Sequence, residues 1–254
     1  MRGRDSSRAF AAALPALGAA SIILVWWVAL PLFGVPSFIV PTPPAVAAKL
    51  AGEWRFLLAN ALPTVVESLL GFLFGNLIAI GLAILFVYSR HVRAAYFPVI
   101  LFFNTIPVLA LAPIIILIFG LGLLPKIIIA AIICFFPTLV NMVRGLTLAT
   151  PNELELMHVL SASKAEVFWR LRAPRSVPLL FTSLKIAATT CVIGAVVGEW
   201  IGSNQGLGAL IIQSTFNYQS DRLFAAVFLA SSLALLFFGV VALAERWFIR
   251  ARLA

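Results

Sequence analysis

The sequence predicts an all-α integral membrane protein with six transmembrane helices. Of its 254 residues, 63% are hydrophobic and 11% are charged, and the mean hydropathy is +1.10. Soluble domains are about half apolar and about a quarter charged. Six apolar runs each approach or exceed the length of about 20 residues that crosses a bilayer. These runs and their short joints form one domain, residues 1–254, with no room for a separate soluble catalytic domain.

The distribution of basic residues predicts how the spans are oriented. The spans are residues 14–33, 62–88, 96–119, 127–148, 179–201 and 223–247. With the N-terminus inside, 14 of the 18 Lys and Arg residues lie on the cytoplasmic side, as the positive-inside rule requires. The other four are Lys49, Arg55, Lys126 and Arg222. Topology therefore explains the net charge of +9 without a nucleic-acid partner, and both termini are expected in the cytoplasm.

The first span follows Arg2, Arg4 and Arg8, as the core of a signal peptide would. Its apolar run continues through Trp26 to Phe33, which is too long for a signal core, so we expect a retained helix.

The outer segment after this span, residues 36–60, carries a helix start signal at Thr42 and Pro43. The spacing of Val46, Leu50 and Trp54 predicts a short amphipathic helix on the membrane face.

Polar side chains inside the spans are candidates for a transport path or gate. Glu67 lies near the outer start of the second span and Glu199 near the outer end of the fifth, and an ionisable residue within a membrane is a functional candidate. Asn104 and Asn141 are candidates of the same kind. Structural roles are the alternative, because the glutamates could reach the interface or brace a turn and the asparagines could join helices by hydrogen bonds.

The sequence contains no motif for catalysis, for a metal or for a cofactor. His91 and His158 are far apart, and no Gly-rich phosphate loop is present. Cys134 and Cys191 lie within spans and are expected to be small buried apolar side chains. Any nucleotide hydrolysis would therefore have to come from a partner chain.

The inner loop, residues 149–178, predicts two short helices joined by a turn at residues 161–163. Thr150 and Glu153, and then Ser163 and Glu166, have the spacing of capping boxes. Pro174 and Pro178 are expected to end the second helix and lead into the fifth span. A folded loop of this size either binds a partner or packs against the ends of its own helices.

The same loop carries a specific resemblance. Its matching residues are Glu155, Ser161, Ala162, Ser163, Phe168, Leu171, Pro174 and Pro178. At this spacing the loop resembles the cytoplasmic EAA loop of binding-protein-dependent ABC import permeases. It departs from that pattern at Leu156-Met157 in place of Ala-Ala, at Ser161 in place of Gly and at Ala173 in place of Leu.

Further segments resemble the nitrate, sulfonate and taurine branch of these permeases. They are Pro41-Thr42-Pro43, Asn104 to Gly122, Phe135-Phe136-Pro137 with Asn141, and Gly198-Glu199-Trp200-Ile201-Gly202 running into Gly206-Leu207-Gly208. The shared motifs extend from Pro41 to Gly208 in the same order.

The resemblance implies a type I ABC importer permease fold and a non-catalytic membrane subunit without cofactors. It further implies a homodimer in the inner membrane of a prokaryote, a cytoplasmic ATP-binding cassette ATPase dimer as partner, and an extracytoplasmic solute-binding protein. The coupling residues would be Glu155, Ser161, Ala162, Ser163 and Phe168. The implied solutes are nitrate, sulfonates and taurine, or heterocycles such as thiamine pyrimidine precursors and riboflavin. The position of Glu67 favours a neutral or cationic solute.

Two other function classes remain as alternatives. An ion-coupled secondary transporter could use Glu67 and Glu199 as a proton relay, but such transporters usually contain an internal repeat and the sequence shows none. A membrane enzyme would need converging acid, base or nucleophilic groups, which two isolated glutamates do not supply.

Overall fold

The structure, a computed structural model, describes the backbone of residues 2–253 and the side chains of residues 14–250. The single domain predicted for residues 1–254 thus extends one residue beyond each end of the described backbone. The side chains of Arg2, Arg4, Arg8 and Arg252 lie outside the described residues. Within residues 2–253 all regular structure is helical. The prediction of an all-α fold is confirmed.

Eleven α-helices and one π-helical turn follow one another along the described chain. They are α1 (Arg2–Leu32), α2 (Pro43–Gly52), α3 (Trp54–Tyr88), α4 (Arg90–Asn104), α5 (Val108–Phe119), α6 (Leu123–Leu146), α7 (Pro151–Val159), α8 (Lys164–Val167), the π-turn (Phe168–Arg172), α9 (Ala173–Glu199), α10 (Leu207–Phe216) and α11 (Ser220–Leu253).

Helices α3, α6 and α9 form the centre of the molecule and pack through small residues. A Cβ atom at Gly75 would lie 2.6 Å from the carbonyl oxygen of Ala131, and one at Gly194 would lie 2.6 Å from the Cα of Ala130. Glycine at these positions lets the backbones approach closely, which is how helices associate in a membrane, where burial of apolar surface gives little driving force.

Within the residues that the structure describes, five helices, including the first, are long and apolar enough to cross a membrane. The third predicted span, residues 96–119, is instead divided between α4 and α5, which meet at an angle of 102°. Pro107 explains the break, because proline has no N–H to donate and disfavours helical geometry in the residue before it. Counting the bent pair as one span gives six.

The outer segment contains the expected helix start, since the Thr42 side chain accepts a hydrogen bond from the N–H of Ala45 at 3.4 Å. Helix α2 ends at Gly52, however, and Trp54 already belongs to α3. The second span therefore begins earlier than residue 62. Short helix α10, which no apolar run of spanning length could reveal, follows the fifth span.

The prediction that Pro174 and Pro178 end the second loop helix is wrong, since both lie within α9. The chain continues from α8 through the π-turn into α9 without a break. In the π-turn the N–H of Ala173 donates to the carbonyl of Phe168, five residues back. This wider turn changes the hydrogen-bond register, so that the missing donor of Pro174 is accommodated at the start of α9.

Candidate functional site

A buried carboxylate at the end of α9 holds the turn into α10. Glu199 is 0% exposed. Its Oε1 accepts a hydrogen bond from the Thr64 hydroxyl at 2.6 Å, and its Oε2 accepts one from the N–H of Gly208 at 2.6 Å. The N–H of Leu207 donates in turn to Thr64 Oγ1 at 2.9 Å. Both oxygens thus satisfy donors that link α3, α9 and α10.

Gly206 is required beside this carboxylate for two reasons. Its φ of +114° lies in the left-handed region, which glycine adopts without strain. A Cβ atom there would also collide with the carboxylate of Glu199. The glycine-rich segment predicted to bend near the outer face therefore bends around Glu199.

A buried ion pair lies next to Glu199. Lys126 Nζ is 2.9 Å from Glu67 Oε1, and the two side chains are 12% and 1% exposed. Lys126 also donates to Ser203 Oγ at 2.9 Å. The two candidate glutamates are thus brought into one polar cluster on the side predicted to face outward. We define it as Thr64, Glu67, Lys126, Glu199 and Ser203 and call it the outer polar cluster.

Sequence reasoning missed the role of Lys126 and counted it only as one of four basic residues on the outer side. The available signal was a lone lysine at the start of one apolar run and a lone glutamate inside another. Because Lys126 offsets the charge of Glu67, the argument that Glu67 alone favours a neutral or cationic solute no longer holds.

The asparagines have different environments. Asn76 Oδ1 accepts a hydrogen bond from the Thr138 hydroxyl at 2.6 Å, which joins α3 to α6. Asn141 Nδ2 donates at 2.8 Å to the carbonyl of Pro137 in its own helix. Asn104 is exposed at the end of α4, directly before the bend.

Asn104 lines an apolar cavity of about 500 Å³ between α3, α4, α5 and α6. The lining residues are Gly75, Ile78, Ile100, Phe103, Asn104, Leu111, Ile115, Ala131, Ile132, Phe135 and Phe136. Asn104 is the single polar side chain among them. Glu67, Asn141 and Glu199 are not part of this wall, so one of the four candidate path residues meets the cavity.

The inner loop is built by two confirmed capping boxes and one left-handed turn. Thr150 with Glu153 and Ser163 with Glu166 both form the reciprocal capping hydrogen bonds. At the end of α7, the N–H of Ala162 donates to the carbonyl of Met157, and the N–H of Ser161 donates to that of His158. This Schellman pattern places its central residue in the left-handed region, and Ser161 has a φ of +55°.

Several contacts fix the loop to the transmembrane helices. The Phe168 ring packs against Tyr88 at 6.4 Å between centroids, and the Tyr88 hydroxyl donates to the carbonyl of Lys164 at 3.2 Å. Arg175 forms an ion pair with Glu153. Phe168 therefore anchors the loop inward, whereas Glu155, Ser161 and Ser163 are exposed.

The exposed side of the loop is apolar as well as polar. Its large apolar side chains are Leu156, Val159, Leu160 and Trp169, exposed by 58%, 74%, 66% and 71%. Sequence reasoning did not predict that these four side chains are exposed, because their exposure depends on how the loop docks. No group of three or more His, Cys, Asp or Glu side chains that could hold a metal occurs in the part of the chain that the structure describes.

The chain is similar to known transport proteins along most of its length. The family described as "Binding-protein-dependent transport system inner membrane component" matches residues 71–250. A probable ABC transporter permease protein of Haemophilus influenzae is 33% identical over 92% of this chain and 96% of its own length. A formylaminopyrimidine transport permease protein of Halalkalibacterium halodurans is 31% identical over 92% and 94%.

The similarity extends to other named transport systems. A riboflavin transport system permease protein of Chloroflexus aurantiacus is 32% identical over 93% of this chain and 90% of its own. The aliphatic sulfonate permease of Bacillus subtilis and the taurine permease of Escherichia coli are each 26% identical. A solved structure of the MetNI methionine ABC transporter, in an inward-facing conformation, matches 77% of this chain and 96% of its own with a TM-score of 0.63 at 17% identity.

Proposed function

We propose, because the chain belongs to the family of binding-protein-dependent transport system inner membrane components, that two copies of it form the transport path of an ATP-driven importer. As a member of this family the chain is a non-catalytic membrane subunit of an ABC importer, which works with ATPase subunits and a solute-binding protein in the inner membrane. The homodimer, the pairing with two ATPase subunits and the cytoplasmic termini are parts of the proposal. The positive-inside distribution of Lys and Arg supports this orientation.

The ion-coupled alternative has no support from the family. Glu67 forms an ion pair with Lys126, and both oxygens of Glu199 accept hydrogen bonds from the protein. Neither carboxylate lines the apolar cavity. We propose instead that both glutamates brace the outer ends of α3, α6 and α9, and that Asn141 has a structural role in α6.

The geometry of the inner loop supports the proposed coupling role, because the loop projects from the helices and hydrogen bonds hold its shape. Its turn is fixed by two capping boxes and a Schellman pattern, while its outer side exposes Glu155 together with Leu160 and Trp169. Two alternating arrangements of the spans must respond to ATP through a mechanical contact. We propose that this side binds the ATPase and that Phe168 transmits the movement to α3.

Reversing the charge at Glu155 tests this coupling. Charge mispairing at an interface costs about 2 to 5 kcal/mol, so Glu155→Lys should abolish uptake and ATPase co-purification while membrane insertion stays normal. Arg246→Glu is the matched control, since it reverses an exposed charge on α11 outside the loop. Normal uptake by Glu155→Lys at equal expression would contradict the proposed coupling.

The apolar cavity supports a proposal for the solute. Its wall contains three phenylalanines, one asparagine and no charged side chain. Such a wall can stack on a flat ring and orient it by one hydrogen-bonding group, whereas it offers no cation to a sulfonate or nitrate. We propose a small uncharged heterocycle, in line with the formylaminopyrimidine and riboflavin permeases among the relatives.

Ligand identification on the cognate solute-binding protein tests the solute class. Mass spectrometry of the purified binding protein should find an uncharged heterocycle, and Asn104→Leu should reduce its uptake while the ATPase still co-purifies. Retention of taurine or another sulfonate by the binding protein would overturn the proposed solute class but not the proposed importer function.

A further inference from the structure

A second cavity lies at the end of the molecule opposite the outer polar cluster. It measures about 520 Å³, within the usual range of small-ligand sites, about 300 to 1,000 Å³. Its wall joins the end of α3, the start of α4, the end of α6 and the π-turn. The lining residues are Phe86, Val87, Arg90, Arg93, Ala94, Phe97, Pro98, Thr147 and Arg172, which we call the arginine pocket.

Three guanidinium groups line this pocket without a carboxylate to balance them. Among the described residues, Arg90 and Arg93 make no ion pair and no side-chain hydrogen bond. The acidic side chains on this side that form ion pairs use other bases: Glu153 uses Arg175, Glu166 uses Arg170 and Glu245 uses Lys185. The pocket therefore concentrates unneutralised positive charge.

Arg172 supplies an unfilled donor inside the wall. Its Nη1 donates to the carbonyl of Leu146 at 2.7 Å, which fixes the guanidinium in place. Its Nε is buried and has no hydrogen-bond partner in the described part of the chain. A buried donor without an acceptor is costly, so an anion in the pocket would remove that cost.

We propose that the arginine pocket binds the phosphate group of an anionic phospholipid from the cytoplasmic leaflet. An arginine guanidinium can donate two parallel hydrogen bonds to two oxygens of one phosphate group. Basic pockets between transmembrane helices on the cytoplasmic side bind anionic lipid headgroups. The pocket lies where the basic ends of α3, α4 and the inner loop meet, which is the cytoplasmic side in the orientation proposed above. Phe86, Phe97 and Pro98 give it an apolar wall, which suits a lipid better than a free anion.

Such a lipid would join the two functional parts of the permease. Arg90 and Arg93 belong to α4, which also lines the apolar cavity through Ile100, Phe103 and Asn104. Arg172 belongs to the π-turn that follows α8 in the inner loop, which we proposed to bind the ATPase. A headgroup between them links the coupling loop to the helix beside the proposed path.

Native mass spectrometry of the full-length permease tests the proposal. After incubation with phosphatidylglycerol, the wild-type chain should retain lipid, while the double variant Arg90→Gln and Arg93→Gln should retain at least about tenfold less. Both arginines are exposed and unpaired, so this variant should fold normally. The double variant Arg144→Gln and Arg246→Gln is the matched control, because it removes two exposed charges of the same side outside the pocket.

Two further arms identify the source of the phosphate group. Phosphatidylcholine should not be retained, and excess inorganic phosphate should not displace phosphatidylglycerol. Displacement by inorganic phosphate with no lipid preference would overturn the lipid assignment in favour of a soluble anion. Equal retention of phosphatidylglycerol by the wild type and the Arg90 and Arg93 variant would overturn the site itself, whereas the importer function is read separately by solute uptake.

Discussion

At the residue scale, Glu199 shows a carboxylate used as a structural acceptor inside a membrane protein. Its two oxygens serve the Thr64 hydroxyl and the N–H of Gly208. In a bilayer a backbone N–H without an acceptor is expensive, and a turn between α9 and α10 inevitably creates such groups. Glu199, at the end of α9, accepts the hydrogen bond of one such group, the N–H of Gly208.

Substituting Glu199 should separate its acceptor role from its charge. Glu199→Gln keeps one acceptor oxygen and the shape, so we expect a folded dimer with part of the uptake. Glu199→Leu leaves the N–H of Gly208 without an acceptor, at about 1 to 3 kcal/mol, and leaves the Thr64 hydroxyl only the carbonyl of Asn60, 3.4 Å away. This variant should lose most of the dimer and most of the uptake. Dimer yield by size-exclusion chromatography and uptake at equal expression measure the difference. If Gln were as damaging to uptake as Leu while the dimer survived, the negative charge itself would be functional.

The buried pair of Lys126 and Glu67 leads to a second prediction at this scale. Removing one partner of a buried pair costs about 3 to 5 kcal/mol, since the other charge remains uncompensated. Lys126→Met and Glu67→Gln should each lower the thermal stability in detergent strongly. The double variant should be more stable than either single one, because no charge stays unpaired. Additive losses in the double variant would show that the two side chains do not interact.

At the element scale, the turn of the coupling loop contains a residue under local strain. Ser161 adopts the left-handed geometry that costs a residue with a Cβ about 1 to 2 kcal/mol. The family pattern has glycine at this position, and the Schellman geometry supplies the physical reason. The serine here therefore holds the turn at some cost in stability.

Ser161→Gly should stabilise the folded chain by about 1 kcal/mol or less, because relief of strain is partly offset by greater flexibility of the unfolded chain. Ser163→Ala is the matched variant two residues away. It removes the hydroxyl that accepts from the N–H of Glu166 and should destabilise by about 1 kcal/mol. Unfolding temperature in detergent measures both changes. A loss of stability in Ser161→Gly would contradict the argument from left-handed strain.

At the scale of the whole molecule, a group of charges on the side predicted to face outward connects α11 to α2 and to the start of α3. Arg222 at the start of α11 donates from Nε to Glu53 Oε2 at 2.8 Å and from Nη2 to Glu53 Oε1 at 2.9 Å. Lys49 in α2 is 2.9 Å from Asp221. The contact joins segments that are far apart in sequence.

The ion pair between Arg222 and Glu53 should make the stability of the folded chain depend on pH. The hydrogen bonds from Arg222 hold the pKa of Glu53 below its ordinary value of 4.5. The contribution of Glu53 is therefore fully present above that value and is lost as pH falls through the lower pKa of the folded state. Wild type should exceed Glu53→Gln in unfolding temperature at neutral pH, and the difference should shrink in acid. A difference that stays constant down to strongly acidic pH would contradict this role.

Sequence reasoning was most successful where the signal is local. Hydropathy predicts the membrane fold because the bilayer requires apolar residues along each span, and the capping boxes at Thr150 and Ser163 depend on residues three apart. The pairing of Lys126 with Glu67 was not predictable from either span alone, because it needs the packing of α3 against α6. Pro174 misled the prediction, since a π-turn can accommodate a proline that an α-helix would not.

The π-turn at Phe168–Arg172 also sets the direction in which the inner loop points around the axis of α9. A π-turn is a helical turn whose hydrogen bond spans five residues where that of an α-helix spans four, so it contains one extra residue. Each residue of an α-helix turns the chain by about 100° and advances it by about 1.5 Å. The extra residue therefore rotates the part of the loop before it, α7 and α8, by roughly a quarter turn around the axis of α9. The length of this one segment decides in which direction Glu155 and Leu160 face.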